Sequence, residues 1–144
     1  MSAETFIGGF ASGFMGQGFM GMRAGYGLYF TSARLFGVSA ATWSGGSLGG
    51  TVAGLIEGEL MPALTPDQNT TVIAELERAK DFELGKDQVR SIELKRTGPM
   101  MLWLGRITIQ PVNGQAIKYA LRSPIAYDRL LKLTQAFGPE LLRT

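Results

Sequence analysis

Regular alternation of apolar and polar residues is clearest between Arg106 and Arg122. Ile107 and Ile109 take one side, and Arg106, Thr108 and Gln110 the other; beyond Asn113-Gly114, Ile117, Tyr119 and Leu121 alternate with Lys118 and Arg122. A period of two belongs to strands buried on one face. Asn113 and Gly114 both tolerate the positive φ of a type I′ turn, so the stretch predicts a hairpin. Upstream, Val89, Ile92 and Leu94 predict another strand, followed by a loop at Thr97-Gly98-Pro99, and Phe82 and Leu84 a short strand before it. Earlier still, Gly27 to Phe30 and Leu35 to Val38 read as two short strands around the polar turn Thr31-Ser32-Ala33-Arg34.

After Ser123 the period changes to that of a helix. Ser123 as N-cap and Pro124 at the first position open a helix over 124–137, with Tyr127, Leu130, Leu131, Leu133 and Phe137 on one face. Asp128, Arg129, Lys132 and Gln135 face water, and Gly138-Pro139 ends the helix. A second helix is predicted over 66–79: Thr65 caps it, Pro66 opens it, Asp67 and Gln68 lie at the positive end of its dipole, and Val72, Ile73 and Leu76 form its apolar side. Asn69-Thr70-Thr71 fits the N-glycosylation pattern, but inside a helix, and with no signal sequence before it, it reads as chance.

Composition divides the chain into two materials. Fifteen of the 20 glycines lie between Gly8 and Gly58, in apolar segments at 8–27 and 44–60. Residues 1–65 carry only Arg23 and Arg34 against Glu4, Glu57 and Glu59, whereas residues 66–144 hold 12 basic and 9 acidic groups. Cysteine and histidine are both absent, which removes thiol and Ser-His-Asp nucleophiles, thiolate or imidazole zinc sites, and disulfides. Glu75, Glu77, Asp81 and Glu83 alternate with Arg78 and Lys80 as a solvated helix face and its exit, not as paired catalytic carboxylates. No catalytic residue, cofactor or metal is therefore expected. Nucleic acid is not an expected partner either: the net charge is only +2, and Arg106, Lys118 and Arg122 share an outward hairpin face without an aromatic platform.

The glycine-rich half raises two membrane questions and one nucleotide question. The uncharged runs from Thr5 to Met22 and from Leu35 to Ile56 are interrupted by glycines, and Glu4 precedes the first, so neither a transmembrane span nor a secretory signal is expected. Gly16, Gly18 and Gly21 spell GxGxxG, but glycines flank the motif on both sides and a strand follows where a dinucleotide site needs a helix. Glycines in a β fold supply bends, bulges or close backbone approach instead, with Phe10, Phe14 and Phe19 filling the core. Gly46, Gly50, Gly54 and Gly58 recur every four residues; on a helix they form a smooth strip suited to close packing, on this chain's own sheet or on a partner.

The Leu28–Leu35 hairpin reads apolar-apolar-Thr-x-x-Arg-apolar. With the "DQVRSIELKR" strand, the "GRITIQPVNGQAIKYAL" hairpin and the closing amphipathic helix, it resembles the pleckstrin-homology-like domains of bacteria and archaea, relatives of GRAM domains, over residues 25–43 and 80–138. The resemblance implies a single α+β domain over 1–144: a PH-like bent β barrel or roll of short antiparallel strands, closed by the C-terminal helix, with a helical insertion over 46–80. It further implies a non-catalytic binding module, cytoplasmic and peripheral on the inner face of a membrane, with lipid as its partner. The alternative is a protein-interaction or self-assembly module, a homo-oligomer included, using a strand edge or the glycine strip. Lipid-binding members of that family gather basic residues around an early loop; here Arg23 and Arg34 are the residues so placed. Phe10, Phe14, Phe19, Trp43, Gly46, Gly50, Gly54 and Gly58 are the expected membrane or partner contacts.

Overall fold

The computed structural model describes residues 4–17, 23–39, 64–96, 105–121 and 124–144. The elements run β1 (Phe6–Gln17), β2 (Arg23–Thr31), β3 (Arg34–Ser39), α1 (Pro66–Ala79), β4 (Phe82–Gly85), β5 (Val89–Arg96), β6 (Gly105–Pro111), β7 (Ile117–Leu121), α2 (Pro124–Phe137) and β8 (Leu142–Arg143), an α+β fold. The strands are hydrogen-bonded in the order β4-β3-β2-β1-β7-β6-β5-β8. All neighbours are antiparallel except β5 and β8. Two meanders, β1 to β4 and β5 to β7, are thus joined where Met15–Gln17 of β1 pairs with Leu121–Tyr119 of β7.

The described ladder does not close on itself, yet it cannot be flat. Between β4 and β5 stand only the three residues of a 3₁₀ turn, Lys86–Gln88. Six strand spacings would hold those two strands roughly 29 Å apart in a flat sheet, whereas the linking chain spans at most roughly 14 Å. The sheet must therefore curl until its ends approach. Part of that bend is visible in β1, whose pairing with β2 slips between Phe6 and Gly8 and again between Ser12 and Gly16. The glycine-rich start is accordingly a 12-residue bent strand, and Gly16 of the GxGxxG motif is a strand residue opposite Ala24 and Ala120.

Burial explains why some strands alternate and others do not. β6 alternates cleanly and is wet on its outer face, and β5 does the same from Ile92 to Lys95. In β2 and β3 the runs Gly27–Thr31 and Leu35–Val38 are buried without a break, because both faces of the sheet are covered there. On the inner face Ile7, Leu28, Phe30 and Leu35 join Ile92, Leu94, Ile107, Ile109, Tyr119 and Leu121, with Leu130, Leu133 and Phe137 of α2 inserted among them. The Phe137 ring meets Phe30 edge-on at 5.4 Å. On the outer face Phe6, Tyr29, Phe36 and Val38 pack under Val72 and Leu76 of α1. Two cross-strand glycines make room for rings: a Cβ on Gly9 would run into the Tyr29 ring opposite it, and one on Gly37 into the Phe82 ring.

Both predicted helices form over the expected residues. Thr65 and Gln68 make a reciprocal capping box at the start of α1. The hairpin at Asn113-Gly114 also forms, but not as a tight type I′ turn. Ile109 pairs with Ile117 as the last rung, and β6 ends at Pro111, which has no N–H to extend the ladder. The Val112 N–H instead donates to the Gln88 carbonyl at 2.8 Å, so the loop stays open, and Gly114, at φ +108°, takes the left-handed region. Ser123 and Thr97-Gly98-Pro99 lie outside the described residues.

Candidate functional site

The turn between β2 and β3 gathers the densest set of polar contacts among the described residues. Thr31 is buried, and its hydroxyl accepts from the N–H groups of Ala33 and Arg34 while donating to Glu4. Ser32 and Thr5 exchange two further bonds, tying the start of the chain to the turn. Arg34 then reaches out from the first position of β3. Its Nε and Nη2 donate to the two oxygens of Glu4 at 2.8 and 2.6 Å, Nη2 also meets Glu77 of α1 at 2.7 Å, and Nη1 meets Glu83 of β4 at 3.1 Å. The guanidinium lies 4.9 Å from the centre of the Phe36 ring, and Lys80 adds a second cation on Glu83.

The electrostatics follow from this geometry. Hydrogen bonds from Arg34 hold the Glu4 carboxyl below the usual carboxylate range, outweighing the opposing effect of burial; Lys80 first, and then Arg34, do the same for Glu83. The carboxylates in turn push Arg34 upward, so it stays charged at every ordinary pH. An incoming phosphate would meet three negative charges already seated on Arg34. The cluster is a clamp between the chain start, the first hairpin, α1 and β4, and Arg34 acts as its hub. Asn69 extends it: its side-chain oxygen accepts from the Phe6 N–H at 2.8 Å, and its amide nitrogen donates to the Glu4 carbonyl at 2.9 Å.

The remaining expected residues are not brought together in the described part. Arg23 is a β2 residue opposite Gln17, far along the strand from the Arg34 turn. Phe10 is half-buried against the inner core, in keeping with glycine-rich strands that pack rather than bind. The backbone of Phe14 belongs to β1. Phe19, Trp43, Gly46, Gly50, Gly54 and Gly58 lie outside the described residues. Glu77 and Glu83, read from the sequence as solvated, converge on Arg34 instead; the Thr-x-x-Arg hairpin was the one signal of a special role there.

A different surface stands out on the second meander. Neither helix covers the outer side of β5–β6–β7, whose residues are polar apart from Ala120. Lys95 is directly opposite Arg106, and Lys118 lies diagonally from Arg106, opposite Thr108. All three cations are exposed, and the nearby acid Glu93 stands 3.7 Å from Lys95. Like charges directly opposite one another on a sheet oppose its stability, and the ion pair of Lys95 with Glu93 offsets part of that repulsion. Pairing across strands brought Lys95 into the group; alternation alone had shown Arg106, Lys118 and Arg122, the last of which lies outside the described residues.

No helix among the described residues is long and apolar enough to cross a membrane. Compared with models of protein families, with curated proteins and with solved structures, the chain matches none.

Proposed function

We propose that this chain is a non-catalytic binding module on a PH-like bent barrel, and that it associates peripherally with an anionic membrane surface, on the cytoplasmic side. The fold half of the reading is supported by the two meanders of four and three strands, joined through β1 and β7 and followed directly by a helix whose apolar side enters the curled sheet. The binding half is carried by the outward cations Lys95, Arg106 and Lys118, two of them forced together by register. Such residues gain about 1 kcal/mol each beside an acidic leaflet. Arg34 has no part in this contact, because its donors are engaged by Glu4, Glu77 and Glu83.

Flotation with liposomes tests the reading. The protein is expected to float with anionic vesicles at low salt, to remain below with neutral vesicles, and to lose flotation when Lys95, Arg106 and Lys118 are all replaced by Glu. Flotation that survives high salt and disappears on deleting residues 44–60 would move the contact to the glycine-rich segment. A protein that stays at the bottom in every condition refutes membrane association altogether.

A further inference from the structure

We propose that the tip joining β6 to β7 is an apolar foot, with Val112 entering the headgroup layer of an anionic bilayer; the proposal rests on the membrane reading of the outer face and adds where the bilayer is touched. Along β6 the outward positions run Arg106, Thr108 and Gln110, alternating with buried Gly105, Ile107, Ile109 and Pro111, and the next outward position is Val112. The cationic face therefore ends in an apolar residue. Val112 is 44% exposed, the one large apolar side chain so exposed among the described residues. A lone exposed valine is ordinary on a protein surface; its backbone and its charged neighbours set this one apart.

Leaving water costs least for a segment whose backbone groups are already bonded. Pro111 has no N–H, and its carbonyl accepts from the Gln110 side chain at 3.0 Å. The Val112 N–H is held by the Gln88 carbonyl at 2.8 Å. Charge then selects an acidic surface. Arg90 is the extra residue where the β5 register slips beside Gln110 and Pro111, and Lys118 stands opposite Thr108, roughly 13 Å back along the strand from Val112. Both cations are exposed, and neither has an ion pair among the described residues. From Leu94 to Tyr127 the chain carries no acidic residue. Asp87, the exposed acid in the turn beside the tip, is set between Lys86 and Arg90 in sequence.

The chain has no cysteine, so Val112→Cys gives a single attachment point for the environment-sensitive fluorophore NBD, and Gln135→Cys on the exposed side of α2 gives a control. With vesicles of equal parts phosphatidylcholine and phosphatidylserine, the label at position 112 should shift to the blue and be quenched by spin labels on the acyl chains. The label at position 135 should do neither. In titrations with the same vesicles, Val112→Ser should weaken binding by roughly fivefold and Val112→Leu should strengthen it by roughly threefold. The salt dependence should be unchanged in both, since neither alters a charge. Opposite effects at one exposed position cannot come from a folding defect. Vesicle binding with a silent label at position 112, or with equal affinities for parent and both variants, overturns the foot and leaves membrane association standing; a chain that binds no vesicle overturns both.

Discussion

Arg34→Met keeps most of the apolar stem beside Phe36 and removes only the guanidinium, so it isolates what the clamp contributes. Arg34 and Glu4 are each about one-fifth exposed. Hydrogen bonds to a charged group contribute about 1.5–3 kcal/mol each when sheltered, and two of them join Arg34 to Glu4. Solvent screening reduces that sum, and the half-exposed Glu77 adds less than about 1 kcal/mol. Glu4 can also swing toward water once its partner is gone. A net loss of about 3 kcal/mol is expected, which for a chain of this size lowers Tm by roughly 6–12 °C. Urea unfolding followed by far-UV circular dichroism reads it as a lower midpoint with an unchanged slope. Lys80→Met is the control; it removes one exposed partner of Glu83 and should cost less than about 0.5 kcal/mol.

The acid limb gives an independent check. Glu4 and Glu83 have lowered values in the folded chain, so the stability they contribute is fully present above the ordinary carboxylate value of 4.5 and is lost as pH falls through their folded values. Arg34 does not titrate in that window. The parent should therefore lose more stability between about pH 5 and 3 than Arg34→Met does. A loss below about 1 kcal/mol at neutral pH, with parallel acid limbs, would refute the clamp as a stabilising unit.

Asn69→Ala leaves the Phe6 N–H and the Glu4 carbonyl without their amide partner and should cost about 2 kcal/mol in the same urea assay. Gly9→Ala should destabilise by about 1–3 kcal/mol, and by more than Gly37→Ala, because the ring it strikes is fully buried whereas Phe82 is half-buried and can shift. Burial, with a lesser push from Asp81, raises the Tyr119 phenol far above its ordinary value. The folded state keeps this phenol neutral while the unfolded chain ionises it, so stability falls as pH rises above about 10. Tyrosinate absorbance from Tyr119 should therefore appear only together with unfolding.

Local signals were sufficient where an element carries its own instructions. Thr65-Pro66 with Gln68, the three-and-four spacing from Tyr127 to Phe137, and the stop at Gly138-Pro139 define both helices, because caps and helical faces depend on residues a few positions apart. Alternation from Arg106 to Leu121 likewise told the wet face of that hairpin from the dry one. The length of its loop was not legible, since the Val112 N–H is held by Gln88, distant in sequence.

Hydropathy could mark Leu28–Phe30 and Leu35–Val38 as apolar, but only the placement of α1 outside and α2 inside explains why no position there is free to be polar. The meeting of Glu4, Glu77 and Glu83 on Arg34, and of Lys95 with Arg106, arises from strand pairing and helix docking between distant segments. Sequence therefore determined the elements and their faces, which are properties of near neighbours. Tertiary structure alone decided which charges cancel and which stand together facing solvent, because that depends on distances no local pattern encodes.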